Sequence, residues 1–205
     1  SASSWPKLTS GTLLTTPEVG AIELDSTNFY GTTDAGNRGY IPVRYLIRCN
    51  SNNTLASQTT SQKIFGSPTN GRLTLETGVY LFEMMYIMTG MSATSGNATH
   101  DILGAGTATI DSWLWRASGI DNSVPATMLD DDSSYVQTST CNVITAGTGT
   151  ALRFSAKGTF KVTTGGTLIP SLSLVTAATP SIQLGSYFWC DRIGGTSLAS
   201  IGQWD

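Results

Sequence analysis

The stretch from Asn70 to Met91 constrains the fold of this chain more than any other part of the sequence. Residues 79–89 read VYLFEMMYIMT, and both sets of side chains that alternate along an extended strand are largely apolar. One set is Tyr80, Phe82, Met84, Tyr86 and Met88, and the other is Val79, Leu81, Met85 and Ile87. The glycines on both sides of this run and its aromatic content indicate a β-strand. We expect its own sandwich to cover one side and another copy of the chain to cover the other.

Glu83 is the one charged residue inside this strand. A buried carboxylate needs a cation or several hydrogen-bond donors, because its desolvation is otherwise unfavourable. Arg44 or Arg48, from the preceding predicted strand, is the expected partner, either within the subunit or across a subunit interface. The alternative is that Glu83 faces solvent at the centre of an assembly.

The charge of the chain argues against two classes of partner. Charged residues make up 12% of the sequence, the net charge is −3, and the 11 lysines and arginines are scattered. Nucleic-acid binding needs clustered cations, so no nucleic-acid partner is expected. No apolar stretch approaches the roughly 20 residues of a membrane-spanning helix, so no membrane insertion is expected.

Period-2 runs continue along the chain and predict an all-β protein. Together with 79–89, the runs give eight or nine antiparallel strands at sandwich-like spacing and no convincing helix. They lie at 39–49, 72–75, 107–117, 135–145, 150–163, 168–176 and 181–193. Gly158, in the middle of one run, predicts a bulge or a close crossing. Before them, Ala21–Leu24 and Phe29–Tyr30 predict a small β-hairpin after an irregular arm that contains Trp5.

The residues that could carry chemistry are few. His100–Asp101 could act in acid–base catalysis, but no nucleophile motif accompanies it, and we expect His100 to be a solvated turn residue of a protein that is not an enzyme. Asp121 with Asp130–Asp132 could bind calcium, although such acidic loops are usually only solvated, so no cofactor is expected. Cys49, Cys141 and Cys190 are expected as reduced, buried thiols, with one disulfide as the alternative.

Tryptophans provide the candidate ligand contacts. In the run 107–117, Ala108, Ile110 and Leu114 form the better core face. Trp113 and Trp115 are therefore expected to point outward, to solvent or into a partner; the alternative is that they cap the edge of the sandwich. Together with Tyr135 and Trp189 they could stack against a glycan.

Two short motifs resemble known protein classes. Gly78, Tyr80 and Phe82, preceded by Leu73 and Leu75, resemble the central strand pair of tumour-necrosis-factor-like and complement-head-like jelly rolls. That resemblance implies a jelly-roll sandwich that assembles as a trimer, with Val79, Tyr80, Leu81, Phe82, Glu83, Met85 and Ile87 at the trimer interface or core.

The segment 17–30 is similar to small modules that precede the C-terminal domains of tailed-phage fibre and decoration proteins. The matching residues are Pro17, Gly20, Ala21, Glu23, Asp25, Thr27, Asn28 and Tyr30. Residues 158–170 and 185–188 also look like the closing strands of phage virion proteins. These resemblances imply virion attachment through Trp5, Ile22, Leu24, Phe29 and Tyr30.

The sequence therefore predicts an antiparallel jelly-roll-like β-sandwich of about 8–10 strands at 39–205, after an arm and attachment hairpin at 1–38. The expected function is structural: a homotrimeric component of a tailed-phage virion, located in a head decoration, head fibre or tail fibre, with other virion proteins as partners. The alternative is a carbohydrate-binding fibre tip that recognises a host surface glycan through Trp113, Trp115 and Trp189.

Overall fold

The computed structural model describes residues 8–25, 28–34, 37–66, 71–121, 134–141 and 150–196. In these ranges the chain forms seventeen β-strands and no α-helix, so none of the described residues forms a membrane-spanning helix. The strands are β1 Ile22–Leu24, β2 Phe29–Asp34, β3 Asn37–Ile41, β4 Val43–Arg48, β5 Asn53–Thr54, β6 Gln62–Lys63, β7 Leu73–Leu75, β8 Gly78–Thr89, β9 Ala98–Asp101, β10 Thr109–Asp121, β11 Ser134–Val136, β12 Thr140–Cys141, β13 Ala151–Thr164, β14 Gly166–Leu168, β15 Ser171–Leu174, β16 Ser181–Ile182 and β17 Tyr187–Gly194.

Four antiparallel strand pairs are nested within one another along the chain. The first strand of the sandwich, β4, pairs with the last, β17; β6 pairs with β15, β8 with β13, and β9 with β12. Lateral pairing of β17 with β8, and of β15 with β9, then joins these hairpins into two sheets. Nested pairing of eight strands into two sheets is the topology of a jelly roll, which confirms the predicted fold class.

Sheet one has β4, β17, β8, β13, β10 and β11 in that order. At the C-terminal end of β8, β16 pairs with β8 and β5 pairs with β16. Sheet two has the order β12, β9, β15, β6. Strands β10 and β11 lie between β9 and β12 in the sequence, and they extend sheet one beyond β13. A separate two-stranded sheet, β7 and β14, buries Leu75 and Leu168.

The core lies between the two sheets and is rich in aromatic side chains. Along β8 the residues Tyr80, Phe82, Met84, Tyr86 and Met88 are buried, as the alternation in the sequence predicts. The matching set on β13, from Leu152 through Phe154 and Phe160 to Val162, is also buried. Phe82 contacts the rings of Trp115, Phe160 and Phe188, with centroid distances of 6.2, 5.7 and 5.8 Å.

Gly158 lies where the backbone of β10 leaves no room for a side chain on β13, which agrees with the close crossing that the sequence predicts as one alternative. It is paired with Trp115 on one side and with Phe82 on the other. A Cβ atom at this position would lie 2.2 Å from the Leu114 carbonyl oxygen and 2.5 Å from Trp115 Cα. Any side chain here would push the two strands apart.

The N-terminal region differs from the predicted hairpin. It is a three-stranded sheet in the order β1-β2-β3, because residues 37–41 fold back along β2. Its third strand crosses the expected domain boundary at 38/39, and Pro42 separates it from β4. Arg38 ties this strand to β1 through an ion pair with Glu23 at 2.8 Å, and it also donates a hydrogen bond to the Leu14 carbonyl.

Candidate interaction face

The side of sheet one that points away from the core is the candidate functional surface, and we call it the outer face. It is built from β4, β17, β8, β13 and β10, whose alternate residues point outward. Its members are Arg44, Leu46, Arg48, Val79, Leu81, Glu83, Met85, Ile87, Asp111, Ser112, Leu114, Arg116, Ser118, Arg153, Ser155, Lys157, Thr159, Lys161, Tyr187, Trp189 and Asp191.

Large apolar side chains remain accessible across the outer face. Leu81 and Met85 of β8 are 41% and 40% exposed, Leu114 of β10 is 56% exposed, and Leu46 of β4 is also exposed. The second side of β8 is thus only half covered within a single chain, whereas its first side is fully buried. Within one chain, then, the two apolar sides of this strand have different environments.

Cations are concentrated on this surface although the protein is acidic as a whole. Among the residues described, the outer face carries six of the 11 lysines and arginines of the chain and three carboxylates. The cations are Arg44, Arg48, Arg116, Arg153, Lys157 and Lys161. Strand pairing brings together residues from β4, β10 and β13 that are distant in sequence, which is why the charges appear scattered in the linear chain.

Glu83 lies at the centre of the outer face, and its partner differs from the expected one. Its carboxylate accepts a short hydrogen bond from the hydroxyl of Tyr187 on β17. This bond, with burial as a smaller cause, raises the pKa of Tyr187 to about 12. Within a single chain neither Arg44 nor Arg48 is the partner of Glu83, because β17 lies between β4 and β8 and offers a nearer donor. A partner across a subunit interface stays a prediction.

Arg44 instead binds Asp191 of the adjacent strand. Its Nε and Nη2 atoms donate to the two carboxylate oxygens of Asp191 at 2.9 and 2.8 Å, and its guanidinium lies 4.1 Å from the centroid of the Trp189 ring. The hydrogen bonds to Asp191 raise the pKa of Arg44 above its ordinary value. Arg48, on the same strand, contacts Asn50.

A shallow depression lies beside Glu83, between β8, β13 and β10. Its volume is about 320 Å³, and Met85, Arg116 and Lys157 lie around it. Ser118 and Ser155 form its floor, with their hydroxyl oxygens 2.9 Å apart. The small residues at the floor and the long side chains around it make this part of the outer face concave.

Trp113 and Trp115 point into the core, so the prediction that they face outward was wrong. Trp113 is 8% exposed and contacts Phe160, while Trp115 is 1% exposed and donates from Nε1 to the Thr138 carbonyl at 2.7 Å. Register shifts near Ile110 and Ser112 reverse the alternation assumed from the start of the strand. Neither indole offers a glycan-stacking surface, and Leu114 takes their place on the outer face.

Trp189 is the predicted stacking residue that does lie on the outer face. It is half-buried, and the Arg44 guanidinium covers its ring. The side chain of Tyr135 and the whole of Trp5 lie outside the described residues.

Of the residues predicted for trimerisation, Val79, Leu81, Glu83, Met85 and Ile87 lie on the outer face. Tyr80 and Phe82, which were predicted for the interface or the core, lie in the core of the single chain. Of those predicted for attachment, Ile22 is exposed on β1, and Leu24, Phe29 and Tyr30 are half-buried in the N-terminal sheet.

His100 is a core residue, and its interpretation as a solvated turn residue was wrong. It lies on β9, is fully buried, and stacks on Phe154 with centroids 4.0 Å apart. Its Nε2 forms a short hydrogen bond with the Tyr86 hydroxyl of sheet one, so the pair bridges the two sheets. The sequence did not predict this position, because the surrounding residues are polar and the strand Ala98–Asp101, in which alternate side chains point into the core, has only four residues.

Cys49 and Cys190 are buried free thiols, as predicted, and burial raises the pKa of each. The side chain of Cys141 lies outside the described residues, as do Asp130–Asp132 and the side chain of Asp121 of the calcium hypothesis. The described residues contain no group of three or more histidines, cysteines or carboxylates arranged to hold a metal. Comparison with known protein families, curated proteins and solved structures gives no match for this chain.

Proposed function

We propose that this protein is a structural, non-catalytic component that assembles as a homotrimer through its outer face. The observation that carries the proposal is the half-exposed second side of β8, a twelve-residue strand at the centre of sheet one. Partly exposed apolar residues that continue over several strands are typical of interfaces rather than of free surfaces.

The charge distribution favours another copy of the chain as the occupant. The outer face has six cations and three carboxylates, whereas the described side chains outside it include four cations and six carboxylates. A basic surface on one subunit and an acidic remainder on the next are complementary in a head-to-tail contact. Head-to-tail contacts form a closed ring when the rotation between subunits closes, and the trimer is one such ring.

A catalytic role has little support. His100 is the one histidine of the sequence, and it is fully buried, so no substrate reaches its ring. This position favours a role in packing.

The placement in a tailed-phage virion rests on the sequence resemblances. We propose a capsid decoration, head-fibre or tail-fibre protein whose N-terminal sheet provides the attachment surface. In that sheet and the segment before it, Leu14, Val19 and Ile22 are exposed apolar residues that a neighbouring virion protein would cover. A virion map in which this protein is located would test the placement.

Light scattering coupled to gel filtration tests the assembly. We expect a single species with three times the chain mass, which does not dissociate before it unfolds. A folded monomer as the stable species would contradict the proposal.

A matched pair of variants tests the face. Leu114 on the outer face and Val175 after β15 are similarly exposed, at 56% and 57%. We expect Leu114→Asp to dissociate the trimer, because it places a charge in the interface, and Val175→Asp to leave it intact. A trimer that survives Leu114→Asp would show that the outer face is not the contact.

A further inference from the structure

A second concave site lies between the N-terminal sheet and the sandwich, away from the outer face. It has a volume of about 330 Å³ and lies where β2, β3 and β4 meet the start of β8 and the end of β17. None of the residues that define the outer face lines it. The cleft and the outer face are therefore separate surfaces of one chain.

Aromatic side chains form one wall of the cleft. Phe29 comes from β2, Tyr40 from β3 and Tyr45 from β4, and all three are partly buried. Tyr45 is held from behind by the ring of the core residue Tyr80, 6.3 Å away. A fixed aromatic wall at the edge of solvent gives a flat apolar surface to a partly polar ligand.

A carboxylate and an amide are held in place beside this wall. Asp25 accepts hydrogen bonds from the Asn28 backbone N–H at 2.6 Å and from the Tyr30 hydroxyl at 2.9 Å. Asn28 is only 9% exposed, and its Nδ2 donates to Tyr30 at 3.2 Å. Within the part of the chain that the structure describes, the buried Asn28 Oδ1 atom accepts no hydrogen bond, although buried amide oxygens are nearly always satisfied.

The other side of the cleft carries opposite charges. Arg192 Nη1 lies 3.5 Å from the carboxylate of Glu76, whose side chain is 76% exposed. With Asp25 the cleft has two carboxylates and one guanidinium. Asp25 and Glu76 therefore repel an anionic ligand, and Arg192 repels a cationic one. Mixed charges around an aromatic wall fit a neutral ligand with many hydroxyl groups.

The geometry points to a binding site for a neutral saccharide in this cleft. The apolar face of a sugar ring stacks on Phe29, Tyr40 and Tyr45. Its hydroxyl groups donate to Asp25 and Glu76 and accept from Arg192. The site uses none of the tryptophans that the sequence suggested.

Nuclear magnetic resonance titration of the full chain with a saccharide panel tests the site. The panel contains glucose, galactose, mannose, N-acetylglucosamine, lactose and maltose, with glucuronate as an anionic comparison. We expect at least one neutral sugar to give saturable shifts of residues in the cleft, and glucuronate to give none. If a disaccharide binds no more tightly than its component monosaccharide, the cleft holds a single sugar residue.

Two variants and a control locate the binding. Tyr40→Ala removes stacking and is expected to weaken binding at least about tenfold, and Glu76→Gln removes one charged acceptor and is expected to weaken it about fivefold. Glu18→Gln makes the same chemical change at an exposed residue outside the cleft and leaves binding unchanged. Absence of saturable shifts with every sugar, or binding that survives both cleft variants, would overturn the proposal. Neither result bears on the trimer, which light scattering measures separately.

Discussion

Replacing Gly158 with alanine tests whether the close approach of β10 and β13 fixes the arrangement of sheet one. The new Cβ would lie 2.2 Å from the Leu114 carbonyl oxygen and 2.5 Å from Trp115 Cα. These distances are about 1 Å shorter than ordinary van der Waals contact. Both contacts are to the backbone or to the root of a side chain, so no rotamer change relieves them.

The strands must therefore separate locally. Neighbouring strands lie about 4.8 Å apart, and widening this gap by about 1 Å breaks roughly two ladder hydrogen bonds. At about 1 kcal/mol for each of the two bonds and about 1–3 kcal/mol for the overpacking, Gly158→Ala should cost about 3–5 kcal/mol of folding free energy.

Urea unfolding followed by tryptophan fluorescence measures this cost. Gly194→Ala is the matched control, because Gly194 also lies in sheet one and a Cβ there meets no atom within 4 Å. We expect the control to change the free energy of unfolding by less than about 1 kcal/mol. Protein concentration must be held constant, since association stabilises the folded chain. If both alanines cost the same, steric contact at Gly158 does not set the spacing of the strands.

Three further predictions concern other buried or partly buried groups. The pKa of Tyr187 is about 12 in the folded protein, against 10.0 for an unperturbed tyrosine, so the Glu83–Tyr187 bond contributes its full stability below pH 10 and loses it as the pH rises towards 12. In Glu83→Gln, phenolate absorbance should show that Tyr187 titrates at lower pH, and an unchanged titration would rule out the bond. Tyr86→Phe should lower stability by about 1–3 kcal/mol in urea, because it removes the hydroxyl that bonds buried His100; a neutral effect would mean that this contact between the sheets contributes nothing. The Cys190 thiol should react with an aromatic disulfide reagent only as fast as the protein unfolds, since it is fully buried and burial raises its pKa; rapid reaction under native conditions would contradict its position.

Long alternating runs predicted their strands well, because burial of one face overrides most other preferences. β8 and β13 have twelve and fourteen residues, and their inward sets match the alternation in the sequence. Gly158 was interpretable for the same reason, since a glycine inside such a run indicates a close backbone approach. The free thiols of Cys49 and Cys190 followed from their sparse spacing.

Short strands and local irregularities were not predictable from alternation alone. A register shift near Ser112 decided that Trp113 and Trp115 point inward. A strand of four residues carried His100 into the core. The run predicted as one strand at 39–49 is divided at Pro42, and its first part belongs to a third N-terminal strand at 37–41. In each case the deciding contact is with a distant segment, which a local pattern does not contain.

The amino-acid sequence by itself determined that the chain is all-β and that its central strand is apolar on both sides, because period-2 patterning reflects the geometry of a single strand. Only the tertiary structure decided which groups share a surface. The nested pairing of β4 with β17 and of β8 with β13 gathers the scattered cations around Leu81 and Leu114. Side chains far apart in the sequence become neighbours through backbone hydrogen bonds, and the alternation of residues along one strand does not specify which strand lies beside it.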